Sequence, residues 1–229
     1  PLFAPTELGY ERDDWRDPFV FWNEEAGEYW MLLAARRATG PWWRYRGCTA
    51  LATSRDLETW QVREPFWAPE LYGIHECPDL FRQGDWWYLF FSTFSERQVT
   101  HYRMSRSLQG PWLAPPNDIL DAQGHYAAKT ASNGQERYLF GWLPTREGET
   151  DAGRWQWGGN LVIHQIVTQD DGTLNVQPPA SLLRHLRGRS LPLAPHELIG
   201  SWHLEGDAAW TAAADPVTLL PGAATGAGR

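Results

Sequence analysis

The sequence predicts an all-β chain of β-propeller type, carrying about three blades and the beginning of a further β module. Three observations predict it. A unit of about fifty to sixty residues recurs three times, each time as short runs rich in aromatic and branched residues. Gly, Asn, Asp and Ser punctuate those runs at turn positions. Helical periodicity is absent apart from one turn's worth around Pro179 to Arg187.

The first unit opens at Arg16-Asp17-Pro18-Phe19-Val20-Phe21, turns at Glu24 to Gly27, and continues through Tyr29 to Leu33 and Cys48 to Ala52. It closes at Ser54 to Leu57 with Trp60. The second opens at Glu76-Cys77-Pro78-Asp79-Leu80-Phe81, turns at Gln83 to Asp85, runs through Trp87 to Phe91 and Tyr102 to Ser105, and closes at Ser107-Leu108 with Trp112. The third opens at Tyr126 to Thr130, turns at Asn133-Gly134, and continues through Arg137 to Trp142. Its last strands are Leu161 to Val167 and Leu174 to Val176, joined at Asp170-Asp171-Gly172. Each unit reads as four short strands, which is the plan of a propeller blade. Three blades are fewer than the roughly four to eight that close a ring, so 1–187 reads as part of a larger propeller. Beyond it, Gly188 to Pro195 reads as a linker, Leu198 to Trp210 as the start of another β module, and the Gly/Ala-rich Pro221 to Arg229 as disordered.

Composition narrows the function classes. A hydrophobic fraction of 42% with a net charge of −8 describes a globular chain that polyanions repel, which argues against nucleic acid or an anionic membrane as partner. No apolar run approaches the roughly 18–20 residues of a membrane helix, and the first residues, Pro-Leu-Phe-Ala-Pro, lack signal-peptide character and an initiator Met. Cys48 and Cys77 make no disulfide framework, no Cys/His spacing suggests a metal, and no cofactor is implied. The 15 Trp residues serve either as packing between sheets or as stacking surfaces for sugar rings.

The candidate chemistry lies in two acids. In a propeller the first strand of each blade lines the central channel, and Asp17 and Glu76 both stand at the start of such a strand, Asp17 directly before Pro18 and Glu76 two residues before Pro78. Two carboxyl groups delivered by neighbouring blades to one cleft are what glycosyl transfer needs: one protonates the leaving oxygen, another supports positive charge on the sugar. The alternative for each acid is a solvated loop carboxylate, and the matching placement in two repeats argues against it. Cys77, Pro78 and Phe81 offer Glu76 apolar surroundings of the kind that disfavour carboxylate charge, while Arg16 and Lys129 act in the opposite sense. Cys77 reads as a packing residue and His75 as a loop histidine.

Arg16-Asp17-Pro18 and Glu76-Cys77-Pro78-Asp79-Leu80-Phe81 resemble the R-D-P and E-C-P-D-L-F signatures of glycoside hydrolase family 32, the invertases, levanases and inulinases. The resemblance extends through Asp121 and His125-Tyr126-Ala127-Ala128-Lys129, then Gly141-Trp142 and Trp157-Gly158-Gly159-Asn160-Leu161, and covers roughly 12–187. It implies a five-bladed propeller of which the last three blades are here, followed in 188–229 by a linker and the truncated start of a C-terminal β-sandwich. It also implies a retaining hydrolase of β-fructofuranosyl bonds in sucrose or fructans. Asp17 would be the transition-state stabiliser, Glu76 the general acid/base and Arg16 the hydrogen-bonding neighbour of Asp17. Asp121, Tyr126 and Lys129 would be substrate-binding. The family's W-M-N-D-P-N-G nucleophile segment has no match in the chain; Asn117-Asp118 echoes it only superficially, without the Pro-Asn-Gly that should follow. The expectation is therefore a chain that does not turn over by itself. Two alternatives remain open: a propeller glycosidase acting on arabinose or xylose, whose acid motif resembles Glu-Gly-Pro, and a non-catalytic sugar-binding propeller.

Overall fold

The computed structural model describes residues 4–121, 124–186 and 188, and the backbone strands at 210–212 and 219–221. The chain divides into two compact units, Pro1–Ala180 and Ser181–Arg229.

The first unit holds three antiparallel sheets in sequence order. The first is a meander of β1 (Tyr10–Asn23), β2 (Glu28–Arg37), β3 (Gly47–Ser54) and β4 (Gln61–Val62). The second comprises β5 (Glu76–Gln83), β6 (Trp86–Thr93) and β7 (Val99–Ser105). The third comprises β8 (Tyr126–Ser132), β9 (Arg137–Arg146), β10 (Trp155–Thr168) and β11 (Leu174–Gln177). The expected turns are where the sequence puts them: Asn23 Oδ1 accepts the Glu25 and Ala26 amides at 3.0 and 3.1 Å, and Asn133 Oδ1 those of Gln135 and Glu136 at 3.0 and 2.8 Å.

Two expectations need correction. The second sheet has three regular strands, not four. Its fourth edge is reduced to isolated bridges, Met104 to Leu113 and His101 to Ile119, because Pro111, Pro115 and Pro116 deny that segment a continuous row of donors. The first strand begins at Tyr10, not Arg16, because its charged start is held against the end of β2 by ion pairs of Glu11 and Asp14 with Arg36 at 3.2 and 2.8 Å. In the second unit, β12 (Trp210–Ala212) and β13 (Leu219–Pro221) pair antiparallel, and α1 (Ala180–Leu186) falls where the one helical turn was expected. The proposed linker after Gly188, most of the proposed β module and the Gly/Ala-rich end lie outside the described residues.

Side-chain alternation explains the core. In β5 and β6, Leu80, Leu89 and Phe91 face the first sheet and pack with Leu32 and Leu51. Phe81, Tyr88 and Phe90 face the third and pack with Leu139, Ile166 and Leu174. The middle sheet is buried on both faces, which is why Trp86 to Phe91 reads as an unbroken apolar run. Polar pins fix the second interface: the Tyr88 hydroxyl donates to the Gly172 carbonyl at 2.6 Å, and the Tyr102 hydroxyl accepts the Leu174 amide at 3.0 Å.

One irregularity recurs in all three sheets. The opening strand of each carries a bulge against its partner, between Arg16 and Phe19, Glu76 and Asp79, and Tyr126 and Lys129. The second residue of each bulge takes a left-handed conformation, with φ of 56° at Asp17, 50° at Cys77 and 51° at Ala127. Arg16, Glu76 and Tyr126 are therefore equivalent positions, and Asp17, Cys77 and Ala127 the next equivalent set. Asp17 and Glu76 are offset by one residue, where the sequence had suggested a matching place. Alanine gains nothing from the left-handed region, so Ala127→Gly should raise the unfolding free energy by about 1 kcal/mol. Ala128→Gly, at a buried position of the same strand, should lower it. Urea denaturation of both variants checks the bulge; loss of stability in the first would contradict it.

Candidate active site

The bulges aim three side chains into one row. Arg16 Nη2 donates to Glu76 Oε1 at 2.7 Å, and the Tyr126 hydroxyl donates to Glu76 Oε2. Both oxygens of one carboxylate are thus held by the equivalent residues of the two neighbouring sheets. Arg16 Nη1 donates to Asp14 Oδ1 at 2.6 Å, and Asp14 Oδ2 meets Arg36 at 2.8 Å. The Glu76 side chain is 12% exposed, against 36% for Arg16. One residue along, Asp17 Oδ2 accepts the Cys77 amide at 3.0 Å, with the Cys77 thiol 3.7 Å away. Each acid is therefore tied to the other's strand.

The charges of the row follow from these contacts. Burial alone would pull the Arg16 guanidinium down, but its bonds to Glu76 and Asp14 more than offset this and its pKa rises, so it is a fixed cation. Burial and then the Glu76 carboxylate push the Tyr126 phenol up, so it remains a donor. Burial, followed by the Asp17 carboxylate, pushes the Cys77 thiol up to about 12, which makes it a packing residue and a poor nucleophile. The expected apolar surroundings of Glu76 are only partly there. Phe81 turns away into the core, and the groups on the carboxylate are Arg16 and Tyr126.

The other expected site residues fall in two places. Lys129 reaches the strands of both acids: its ammonium donates to the Pro78 carbonyl at 2.5 Å and stands 4.8 Å from the Phe19 ring centre. Burial pulls the Lys129 pKa down, while Asp79, Cys77 and Asp17 push it back up. Asp121 is paired with His164 Nε2 at 2.7 Å, and the His164 ring lies 5.1 Å from that of the buried His125. His125 needs the bare backbone opposite it: a Cβ on Gly141 would lie 2.5 Å from His125 Nε2. The row brings Arg16, Glu76 and Tyr126 together with Asp17 beside them, while Asp121 is held by His164. Asp118 is engaged by His101 at 3.0 Å and by Arg103.

Sequence reasoning passed over Asp14 and Arg36, and an aromatic group around Tyr126. Trp142 and Trp157 stand edge-on to Tyr126 at 5.4 and 5.3 Å and to each other at 5.3 Å, with Trp157 69% exposed. Gly141-Trp142 and Trp157-Gly158-Gly159 were the available signals.

His75, next to Glu76, lies in the loop that leads into β5, as read from the sequence, and is structural there. It is wholly buried, tilted against Trp67 and Phe91 at 4.9 and 4.8 Å, with Thr49 Oγ1 3.3 Å from Nδ1 and the Leu71 carbonyl 3.2 Å from Nε2. Burial pulls its pKa down to about 3. A folded-state pKa below the unfolded value makes this contribution fully present above about pH 6.5 and lost as pH falls toward about 3, at about 1.4 kcal/mol per pH unit. The slope of unfolding free energy against pH in that window should flatten in His75→Gln; an unchanged slope would contradict the burial of a neutral imidazole.

The all-β unit thus presents an arginine, two acids and a tyrosine from neighbouring opening strands. Residues 2–178 match the glycosyl hydrolases family 32 N-terminal domain, and the chain belongs to that family. It is 31% identical to the raffinose invertase of Escherichia coli over 202 residues, covering 81% of this chain and 40% of that protein. It is 27% identical to the sucrose-6-phosphate hydrolase of Vibrio alginolyticus, covering 82% of this chain and 41% of that protein. The chain spans about two fifths of the length of these relatives. Its fold is similar to that of an inulosucrase from Halalkalicoccus jeotgali bound to kestose, with a TM-score of 0.59 and 17% identity over 77% of this chain and 53% of that one.

Proposed function

We propose that this chain supplies the acid/base and the transition-state stabiliser of a retaining hydrolase of β-fructofuranosyl bonds. Its three sheets are read as the last three blades of a five-bladed propeller spanning 1–187, and 188–229 as a linker with the start of a β-sandwich. The observation that carries the reading is the row in which Arg16 and Tyr126 hold the two oxygens of Glu76 while Asp17 is fixed on the Cys77 amide.

In this reading Asp17 accepts hydrogen bonds from two hydroxyls of the fructosyl ring and opposes the positive charge that develops there. Protonated Glu76 gives its proton to the glycosidic oxygen as the bond to the anomeric carbon breaks, then takes a proton from the water that completes hydrolysis. For that transfer one of the two donors on Glu76 must yield an oxygen to the substrate. Tyr126, whose hydroxyl rotates about a single bond, yields more readily than the doubly anchored Arg16. Lys129 supports the site from within, and Asp121 with His164 forms its rim. The displacement at the anomeric carbon needs a third carboxylate about 5–5.5 Å from the acid, and no Asn-Asp-Pro segment in this sequence offers it. The substrate is a neutral sugar, sucrose or a fructan.

Product analysis over a substrate panel tests the reading. A catalytically active form of the protein is expected to release fructose from sucrose, levan or inulin, and the 229-residue chain alone to release none. Release of arabinose or xylose in place of fructose would overturn the substrate assignment, and robust hydrolysis by the chain alone would overturn its lack of a nucleophile.

A further inference from the structure

The edge of the first unit that presents Arg16 and Glu76 also carries an exposed aromatic group that the proposed reaction does not use. The loop from β2 to β3 contains Gly40-Pro41-Trp42-Trp43-Arg44-Tyr45. It leaves from Arg37, which pairs with Tyr10 at the start of β1, so it stands at the same end of the sheet as Asp14 and Arg16. Trp42 is 59% exposed and Tyr45 43%.

Solvent exposure of this kind usually goes with mobility, but here the group is braced. The Trp43 ring packs where Gly73 has no side chain: a Cβ there would lie 2.8 Å from Trp43 Cζ3. The Arg36 and Arg44 guanidinium groups stand 5.4 and 5.0 Å over Trp43, and Arg44 also 5.2 Å over Trp42. Trp42 meets Trp43 and Tyr45 edge-on at 5.8 and 6.1 Å. Arg44 donates to the Ser95 carbonyl, the Ser95 hydroxyl accepts the Gly73 amide at 2.9 Å, and Arg36 Nε donates to the Gly73 carbonyl at 2.7 Å. The loop is thereby fixed to the segment that leads into Glu76. A chain of ion pairs completes the link, from Arg36 to Asp14, Asp14 to Arg16 and Arg16 to Glu76.

The chemistry of the group selects a neutral ligand. Arg36 is engaged by the carboxylates of Glu11 and Asp14 and Arg46 by Glu11 at 2.9 Å, while Arg44 donates to the Ser95 carbonyl and lies against the Trp42 and Trp43 rings. What remains is a rigid indole with a guanidinium on its ring, which suits the apolar C–H face of a sugar and holds little conformational entropy to lose.

We propose that Trp42 is a stacking platform for the outer residues of an oligosaccharide whose cleaved bond lies at Glu76, so that this loop favours long substrates over short ones. The proposal rests on the fructan reading above. Affinity electrophoresis of the 229-residue chain in gels containing inulin, with kestose as short competitor, compares the wild type with Trp42→Ala. The variant is expected to bind inulin about tenfold more weakly, kestose within about twofold of wild type, and to keep the same melting temperature. Equal losses for both sugars, or none, would overturn the platform while leaving the fructan reading in place. A wild type that binds xylan or arabinan fragments through Trp42, and no fructan, would overturn the fructan reading and keep the platform. Binding of no saccharide at all, or a Trp42-dependent dimer in light scattering with sugar binding unchanged, would overturn the platform.

Discussion

Glu76→Gln is expected to lower kcat/KM on sucrose or a fructan by about a thousandfold, in whichever form of the protein turns that substrate over. The amide has the shape of the carboxyl group. Its oxygen still accepts from Arg16, and its nitrogen donates to the Tyr126 hydroxyl, which then acts as acceptor. The row and the fold should therefore survive, and what disappears is the transferable proton. Leaving-group dependence separates this from a merely disturbed site. A nitrophenyl leaving group needs little protonation, so its release should suffer far less than that of glucose. Equal losses on both substrates would remove the proton-donor role, and near-normal turnover would remove Glu76 from the mechanism.

Asp17 carries the second large effect, and two substitutions divide its roles. Asp17→Asn is expected to cost about a hundredfold in kcat or more while leaving stability within about 0.5 kcal/mol. The Asn carbonyl still accepts the Cys77 amide, and Asn tolerates the left-handed φ of 56° as well as Asp does. The negative charge that opposes the cationic sugar is gone. Asp17→Ala should lose as much activity and, in addition, about 1–2 kcal/mol of stability, because the Cys77 amide is left without its acceptor. Thermal unfolding beside kinetics on both variants checks this. If Asp17→Asn kept its activity, Asp17 would be only a bracket between two strands.

The two acids stood out as candidates because Glu-Cys-Pro-Asp and Arg-Asp-Pro are short contiguous strings at the start of apolar runs. The meanders were legible for a related reason: Asn23, Asn133 and Gly172 mark turns whose chemistry is local. What could not be read is whatever depends on register between distant strands. The bulges that offset Asp17 from Glu76 by one residue exist only as pairings with β2 and β6, and they decide that Glu76 is matched with Arg16 and Tyr126. Asp14 lies in a charged stretch, Glu-Arg-Asp-Asp, that reads as solvated loop until Arg36 is brought opposite it. Trp142 and Trp157 were visible as sequence but not as one group with Tyr126, since their meeting needs the β9–β10 pairing. His75 was legible as a loop residue but not as a buried one, since its contacts with Trp67 and Phe91 come from distant parts of the chain.

The shared use of one sugar by Asp17 and Glu76 is tested most directly by a crystal structure of the Glu76→Gln protein with bound kestose. The prediction is a terminal fructosyl ring with two hydroxyls within hydrogen-bond distance of the Asp17 carboxylate and its glycosidic oxygen beside the amide at position 76. A ring that touches one of these residues and not the other, or a sugar seated away from both strands, would contradict the account.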